Sequence, residues 1–497
     1  FPGREINDIP GELFNPSSPV GMRDGNAVVW HSGGLRKMFG HDNVNTAQIN
    51  SGAEGNGGYY SHVLDKHFAV FGSKLYTDVE TATPTDITSA MTLSSSALVS
   101  YAEWQYESTK YAILSDGTNS ILKTDGVTTS LLGGSPPTGK YIEVWQNALW
   151  VAGNSTNSST VYFSDLVDPE TWTTNNNYVF DAPITGIAGL GDFLVVFMRD
   201  HIGILSGGNN RALTKVNRFI SAKGCVSPYS IAKAQIKGED VLVFHANDGW
   251  YAFDGTQNLV HLSKSIVSKY TGRQTTKFST TRFEYVQGKY WAKYKWYVGF
   301  ISDSSSTAND MMIIIDLDNP FNFKNEITFA HWPFSGVSAK SSFIGLLSGE
   351  EDLYINSYNG YIYKFNPTLF SLDGTTYESR FDSKIMDAKI EWFIEELNLV
   401  TDQTGSNLTV TVNADIEIAN ENSVNVDLSD GGVSLDTDFV LDTSDLGGVD
   451  FVFLNASASN YGRFFSFKFT QNESINFNIE QFHVVFNFLG LESNVEV

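Results

Sequence analysis

The stretch DVLVFHANDGWYAFDG, residues Asp240–Gly255, decides the fold. Two apolar runs, Val241–Phe244 and Trp250–Phe253, flank the polar turn Asn247-Asp248-Gly249. Asn, Asp and Gly tolerate positive φ in tight turns, so the stretch reads as a β-hairpin. Its apolar side chains suit the two middle strands of a propeller blade, each packed on the neighbouring blade.

The pattern recurs. Copies begin at His67, Lys110, Ala148, Asp192, Trp296 and Asp352, each an apolar strand, a short polar turn and a second apolar strand with an aromatic. Successive starts are about 37 to 56 residues apart, the length of a four-stranded blade. The copies at Trp296 and Asp352 are the weaker ones, and Asn359-Gly360 supplies the turn of the last. Helical periodicity is rare. The expected fold class is all-β: a β-propeller of five to seven blades over residues 60–370, plus a C-terminal β-sandwich-like platform domain over 371–497. In that domain Ala388–Val400, Ser406–Ile418, Phe451–Ser457, Arg463–Gln471 and Ile475–Gly490 alternate at period two, as half-buried strands do. The acidic stretch 421–450 is poor in strand formers and is expected to be a long loop or extended hairpin. Residues 1–59 read as an N-terminal arm, a candidate to complete the platform.

A chain of 497 residues with 41% hydrophobic and 13% aromatic residues can bury large cores in more than one domain. It has no apolar run of about 18 residues, so no membrane span is expected. The opening Phe1-Pro-Gly3 has no secretory pattern, and none is expected. The single cysteine, Cys225, excludes a disulfide framework and a Cys-based zinc site, and it reads as a small buried residue. The net charge is −24. Between Lys389 and Arg463 there is no Lys or Arg but 14 Asp and Glu. Tight DNA binding needs cations to displace counterions, so such a chain is a poor DNA binder.

Few residues suggest chemistry. Ser164-DLVDPETW172 resembles the Asp-box corner of sialidase-type propellers, with Asp168-Pro169 breaking that pattern and Thr171-Trp172 completing it. Its physics is that of a structural turn: Asp165 and Asp168 cap N–H groups, Pro169 sets φ, and Trp172 packs under the blade edge. A sialidase also needs an arginine triad, and the ten arginines here fall in no recurring position. The nine histidines form no metal-binding pair. Carboxylates between Asp427 and Asp450 lack EF-hand spacing and read as a solvated acidic loop rather than a weak Ca²⁺ site. Aromatics and lysines interleave in Tyr285–Phe300, which fits either a stacking surface for sugars or bases, or two alternating blade strands.

The order of motifs carries a resemblance. NP…GMRDGNAVVWHSGGLRKMFG, VYFSDLVDPETW, FDAPITGIAGLGDFLVVFMRDHIGIL, SAKGCVSPYSIAKA and VLVFHANDGWYAFDG follow one another as in the tail hub or nozzle proteins of short-tailed bacteriophages, also called packaged-DNA stabilisation proteins. The resemblance spans about residues 15–370, and more loosely GRFFSFKFTQ and FNIEQFHVVF beyond. It implies a homohexameric ring at the virion tail, assembled in the host cytoplasm. That ring would continue the DNA channel below portal and adaptor and retain the genome until ejection. Implied partners are the tail adaptor ring, tail fibre, spike or needle proteins, and double-stranded DNA passing without specific binding; no cofactor and no enzymatic activity are implied. Candidates for lining or gating the channel are Asp427, Asp430, Asp436, Asp438, Asp442 and Asp445; Arg36 and Lys37 are candidates for contacting the adaptor. Two other readings remain: a host-glycan-binding propeller using Trp291 and Trp296, and a divergent glycosidase, which clustered carboxylates at one end of the propeller axis would favour.

Overall fold

The computed structural model describes residues 22–31, 34–207, 213–271, 277–323, 326–383, 386–401, 407–414, 421–427, 452–456 and 460–488. They fall into two compact units. One comprises Asp42–His331 and Gly336–Phe365; the other draws on Phe1–His41, Trp332–Ser335 and Asn366–Val497. The boundaries expected at 59/60 and 370/371 thus fall at 41/42 and 365/366.

The first unit is a propeller of seven four-stranded sheets. Its innermost strands are Gly55–Ser61, Ser100–Tyr106, Tyr141–Trp145, Ile184–Leu190, Ala232–Ile236, Gln287–Trp291 and Ser341–Leu347, in blades 1 to 7. The seven copies of the sequence pattern are the second and third strands of these seven blades. In blade 5 they are Glu239–Ala246 and Gly249–Phe253. Val243 and Trp250 pack on Tyr297, Ile301 and Ile313 of blade 6. Leu242, Phe244 and Phe253 pack on Val195, Phe197 and Ile202 of blade 4. Both faces of the sheet are therefore covered, and the run VLVF is apolar throughout rather than alternating. Each such large side chain contributes about 1.5–3 kcal/mol by leaving water. The turn departs from expectation in one respect: Asn247 and Asp248 keep ordinary φ. Gly249 takes a positive φ, +151°, and is also needed for space, because a Cβ there would lie 2.2 Å from the Ser263 Oγ. Gly360 does take the expected positive φ, +83°.

Blade 7 closes the ring. Its outermost strand, His41–Asn43, comes from the other end of the chain and lies beside Ile362–Phe365. Val44 N–H donates to the Ile362 carbonyl at 2.8 Å. Asn45, fully buried, accepts from Ile362 N–H at 2.7 Å and donates to the Gly360 carbonyl at 3.1 Å.

The second unit is one ten-stranded network. Met22–Asn26 pairs with Ser379–Ser383, and Gly34–Lys37 pairs with Asn478–Phe488, so N-terminal strands lie in the same sheet as C-terminal ones. The long strand Met386–Thr401 changes partner along its length, from Asn460–Gln471 to Val452–Ala456 on one edge, with Asn478–Phe488 on the other. Leu408, Val410, Val412, Phe465, Phe467 and Phe469 are buried at alternating positions. Glu421–Asp427, expected to open a loop, is a strand paired with Asn407–Ala414. Thr411 and Ser423 hydroxyls meet across that pair at 2.9 Å, and Thr409 Oγ1 donates to Asn425 Oδ1 at 2.8 Å. Cross-strand polar pairs of this kind hold a strand that apolar content alone does not mark. Among the described residues no helix is long and apolar enough to cross a membrane.

If the Asn45 bonds hold the closure, Asn45→Ala leaves Ile362 N–H unpaired in the interior, while the Gly360 carbonyl keeps the Ile49 N–H as a donor. Urea unfolding should then show a loss of about 1–3 kcal/mol, whereas an unchanged midpoint would mean that the closure is held elsewhere.

Candidate functional site at the propeller axis

Residues of all seven innermost strands line one cavity of about 220 Å³, which is therefore the propeller axis. Tyr229, on the short turn Pro228–Ser230 before blade 5, donates its hydroxyl to the Leu98 carbonyl at 3.1 Å, just before blade 2. Blades 2 and 5 stand three steps apart in a ring of seven, so this bond crosses the axis. Innermost strands of neighbouring blades share no ladder, and side-chain hydroxyls join them instead. Ser341 Oγ donates to the Gly55 carbonyl at 2.7 Å, Ser100 Oγ to Lys140 at 2.6 Å, Thr185 Oγ1 to Cys225 at 2.6 Å and Ser227 Oγ to Val286 at 2.5 Å.

Charged groups collect around the axis. Tyr59 stacks on Tyr101 with ring centroids 5.2 Å apart, and Glu103 lies near its hydroxyl. Glu103 also accepts from His62 N–H at 2.5 Å. Glu143 pairs with Lys233 at 2.8 Å and accepts from Gly189 N–H at 3.2 Å. A tyrosine with two carboxylates is part of what a glycosidase of the weighed kind uses. Here burial, and then the two carboxylates, push the Tyr59 hydroxyl well above its usual range, so it stays protonated. Both carboxylates are occupied by N–H groups or an ammonium, and no arginine lines the cavity. The arrangement holds charge in place; it presents no activated nucleophile.

The corner 164–172 is a buttress. Asp165 Oδ1 accepts from Thr173 Oγ1 at 3.0 Å and Asn176 Nδ2 at 2.8 Å. Asp168 accepts from Glu170 N–H at 2.9 Å and Thr171 Oγ1 at 2.7 Å. The indole of Trp172 donates to the Pro169 carbonyl at 3.0 Å and packs on the core between blades 2 and 3. Glu170 ties this turn of blade 3 to blade 2, pairing with Lys123 at 2.8 Å and accepting from Gly133 N–H at 2.5 Å.

Of the gate candidates, Asp427 ends the strand Glu421–Asp427, opposite Asn407. Asp430, Asp436, Asp438, Asp442 and Asp445 lie outside the described residues. Of the basic pair, Arg36 is half-buried. Lys37 is 1% exposed, its ammonium donating to the Tyr377 carbonyl at 3.1 Å, Gln471 Oε1 at 3.2 Å and the Glu473 carbonyl at 2.6 Å. In this structure Lys37 is committed to its own sheet rather than displayed as a contact. Burial pulls its pKa down to about 8, against a smaller upward pull from Glu473.

The aromatics of Tyr285–Phe300 turn inward. Trp291 and Trp296 are 1% and 2% exposed, and Tyr294 stacks on Trp296 at 4.7 Å. Lys293 pairs with Glu350 and Lys295 with Asp318. Cys225 is fully buried, donating to the Ser227 carbonyl, and burial pushes its thiol up to about 12. His245, packed on Trp250 and Phe283, is held neutral, its pKa pulled down to about 3 by burial. Among the described residues no group of three or more His, Cys, Asp or Glu is placed to hold a metal. Tyr229, Tyr59, Glu103, Glu143 and Lys233 escaped the sequence reading because they come from separate blades, mostly from innermost strands outside the repeated hairpin; Lys289 was read only as one of the lysines interleaved with aromatics in Tyr285–Phe300. A polar residue in each strand preceding the repeat was the available signal.

Two outcomes check these environments. Lys37 is lowered in the folded state, so the unfolded chain binds the extra proton between about pH 8 and its normal pKa. Wild type should therefore gain stability relative to Lys37→Met as pH rises through that window, by on the order of 2–3 kcal/mol, measured by denaturant unfolding; a flat difference would contradict the burial. Cys225 should resist a disulfide reagent in native protein at pH 8 and react at once in guanidinium, followed by absorbance; fast native labelling would contradict its enclosure.

Residues 16–252 match the family model described as bacteriophage P22 Gp10, β-propeller. No curated protein matches the chain. Among solved structures, the N-terminal domain of Nup159 is similar at 13% identity and a TM-score of 0.39, covering 69% of this chain and 98% of that one. BamB from Moraxella catarrhalis is similar at 10% identity and a TM-score of 0.38, covering 69% and 94%. The resemblance read from the order of motifs agrees with the family match: residues 16–252 match the phage-stabilisation family, β-propeller viral structural proteins described by bacteriophage P22 Gp10.

Proposed function

We propose that this chain forms a ring at the phage tail, a hub or nozzle that continues the DNA channel below portal and adaptor. The ring retains the packaged genome until ejection and docks tail fibres, spikes or a needle. The family match over residues 16–252 carries the reading. The axial geometry refines it. Duplex DNA is far wider than a passage that one tyrosine spans, so the propeller's own axis is not the DNA path. The path runs between copies arranged around a shared axis, and a chain of net charge −24 gives it walls that repel phosphate and let DNA slide. Non-enzymatic action fits the held carboxylates and the protonated Tyr59. The glycan-binding alternative loses its named stacking surface, since Trp291 and Trp296 are core residues.

The test is the mass of the purified protein in solution, alone and mixed with its adaptor complex. A sixfold assembly, or recruitment of six copies to the adaptor ring, is expected. A stable monomer that ignores the adaptor would overturn the hub and turn attention to a glycan array.

A further inference from the structure

We propose that the axial cavity binds a small oxyanion, a carboxylate or phosphate of a few heavy atoms, held by Lys289. The inference is independent of the ring.

The cavity of about 220 Å³ has room for several waters or one small molecule. Three buried polar atoms on its lining residues have no partner among the described residues: the hydroxyls of Tyr101 and Ser342, and Asn56 Oδ1. Buried polar groups are nearly always satisfied, so three orphans around one space point to an occupant. Two of them are hydroxyls able to donate to an oxyanion. Asn56 Oδ1, an acceptor, suits a water or a ligand hydroxyl.

Lys289 supplies the charge. It lines the same cavity, half-buried, and no carboxylate pairs with it among the described residues. Burial is the one cause that moves its pKa, down to about 8, so it remains mostly protonated at neutral pH and unneutralised. The other acid and base on the lining, Glu143 and Lys233, neutralise each other at 2.8 Å. A half-buried ammonium without a counter-charge is destabilised, and an anion seated between it and the two hydroxyls offsets that cost. The net charge of −24 works against non-specific anion uptake, so saturable binding would report a local site.

Thermal unfolding of the intact chain tests this with inorganic phosphate and with malonate, against sodium chloride at equal ionic strength. A saturable rise in Tm with phosphate or malonate but not chloride is expected. Phosphate alone would assign a phosphate ligand, malonate alone a carboxylate. Lys289→Met should fold, since it removes a desolvated charge, and should weaken binding at least about tenfold, the loss of one charge-assisted hydrogen bond. If that variant fails to fold, Ser342→Ala gives the second readout, weakening binding severalfold. No saturable shift in wild type, or equal shifts in wild type and the variants, would overturn the proposal.

Discussion

A propeller blade cannot bury either of its own faces. Leu242 and Phe244 need blade 4, while Val243 and Trp250, from the same hairpin, need blade 6. Every sheet in the first unit therefore depends on two neighbours, and the dependence is satisfied only when the ring closes. Closure rests on the strand His41–Asn43 and on Asn45, which bring residues separated by more than 300 positions into one blade. The entropy of joining such distant segments is offset by the apolar surface that closure covers on both sides of blade 7.

The same packing explains the axis. Seven twisted sheets converge on a space too narrow for a strand yet too wide to be sealed by backbone bonds. Serine and threonine hydroxyls bridge neighbouring innermost strands, and Tyr229 reaches across to Leu98. What remains is a small polar cavity edged by paired charges, where Lys289 has no carboxylate partner among the described residues. The carboxylates Glu103 and Glu143 are spent on N–H groups and Lys233.

In the second unit, Lys37 shows how burial changes a residue's meaning. A basic pair in an arm suggests a surface for a partner. Its ammonium instead joins the strand Gly34–Lys37 to the carbonyls of Tyr377 and Glu473 and to the Gln471 side chain. Arm and C-terminal strands are thereby parts of one sheet, which the charge of Lys37 alone does not suggest.

Local pattern was sufficient wherever the relevant interaction is local. The hairpins at Asp240–Gly255 and its six counterparts, the corner of Asp165, Asp168, Pro169 and Trp172, the enclosure of Cys225 and the all-β class were all legible, because turn chemistry and strand apolarity act within about twenty residues. The order of motifs was enough to indicate the family. Tertiary structure alone decided the count of seven, the origin of the last strand, the inward turn of Trp291 and Trp296, the strand Glu421–Asp427 and the grouping of Tyr59, Glu103, Glu143, Lys233 and Lys289. Each of these depends on which distant strand lies beside a residue, and a residue's type records its own preferences but not its neighbours.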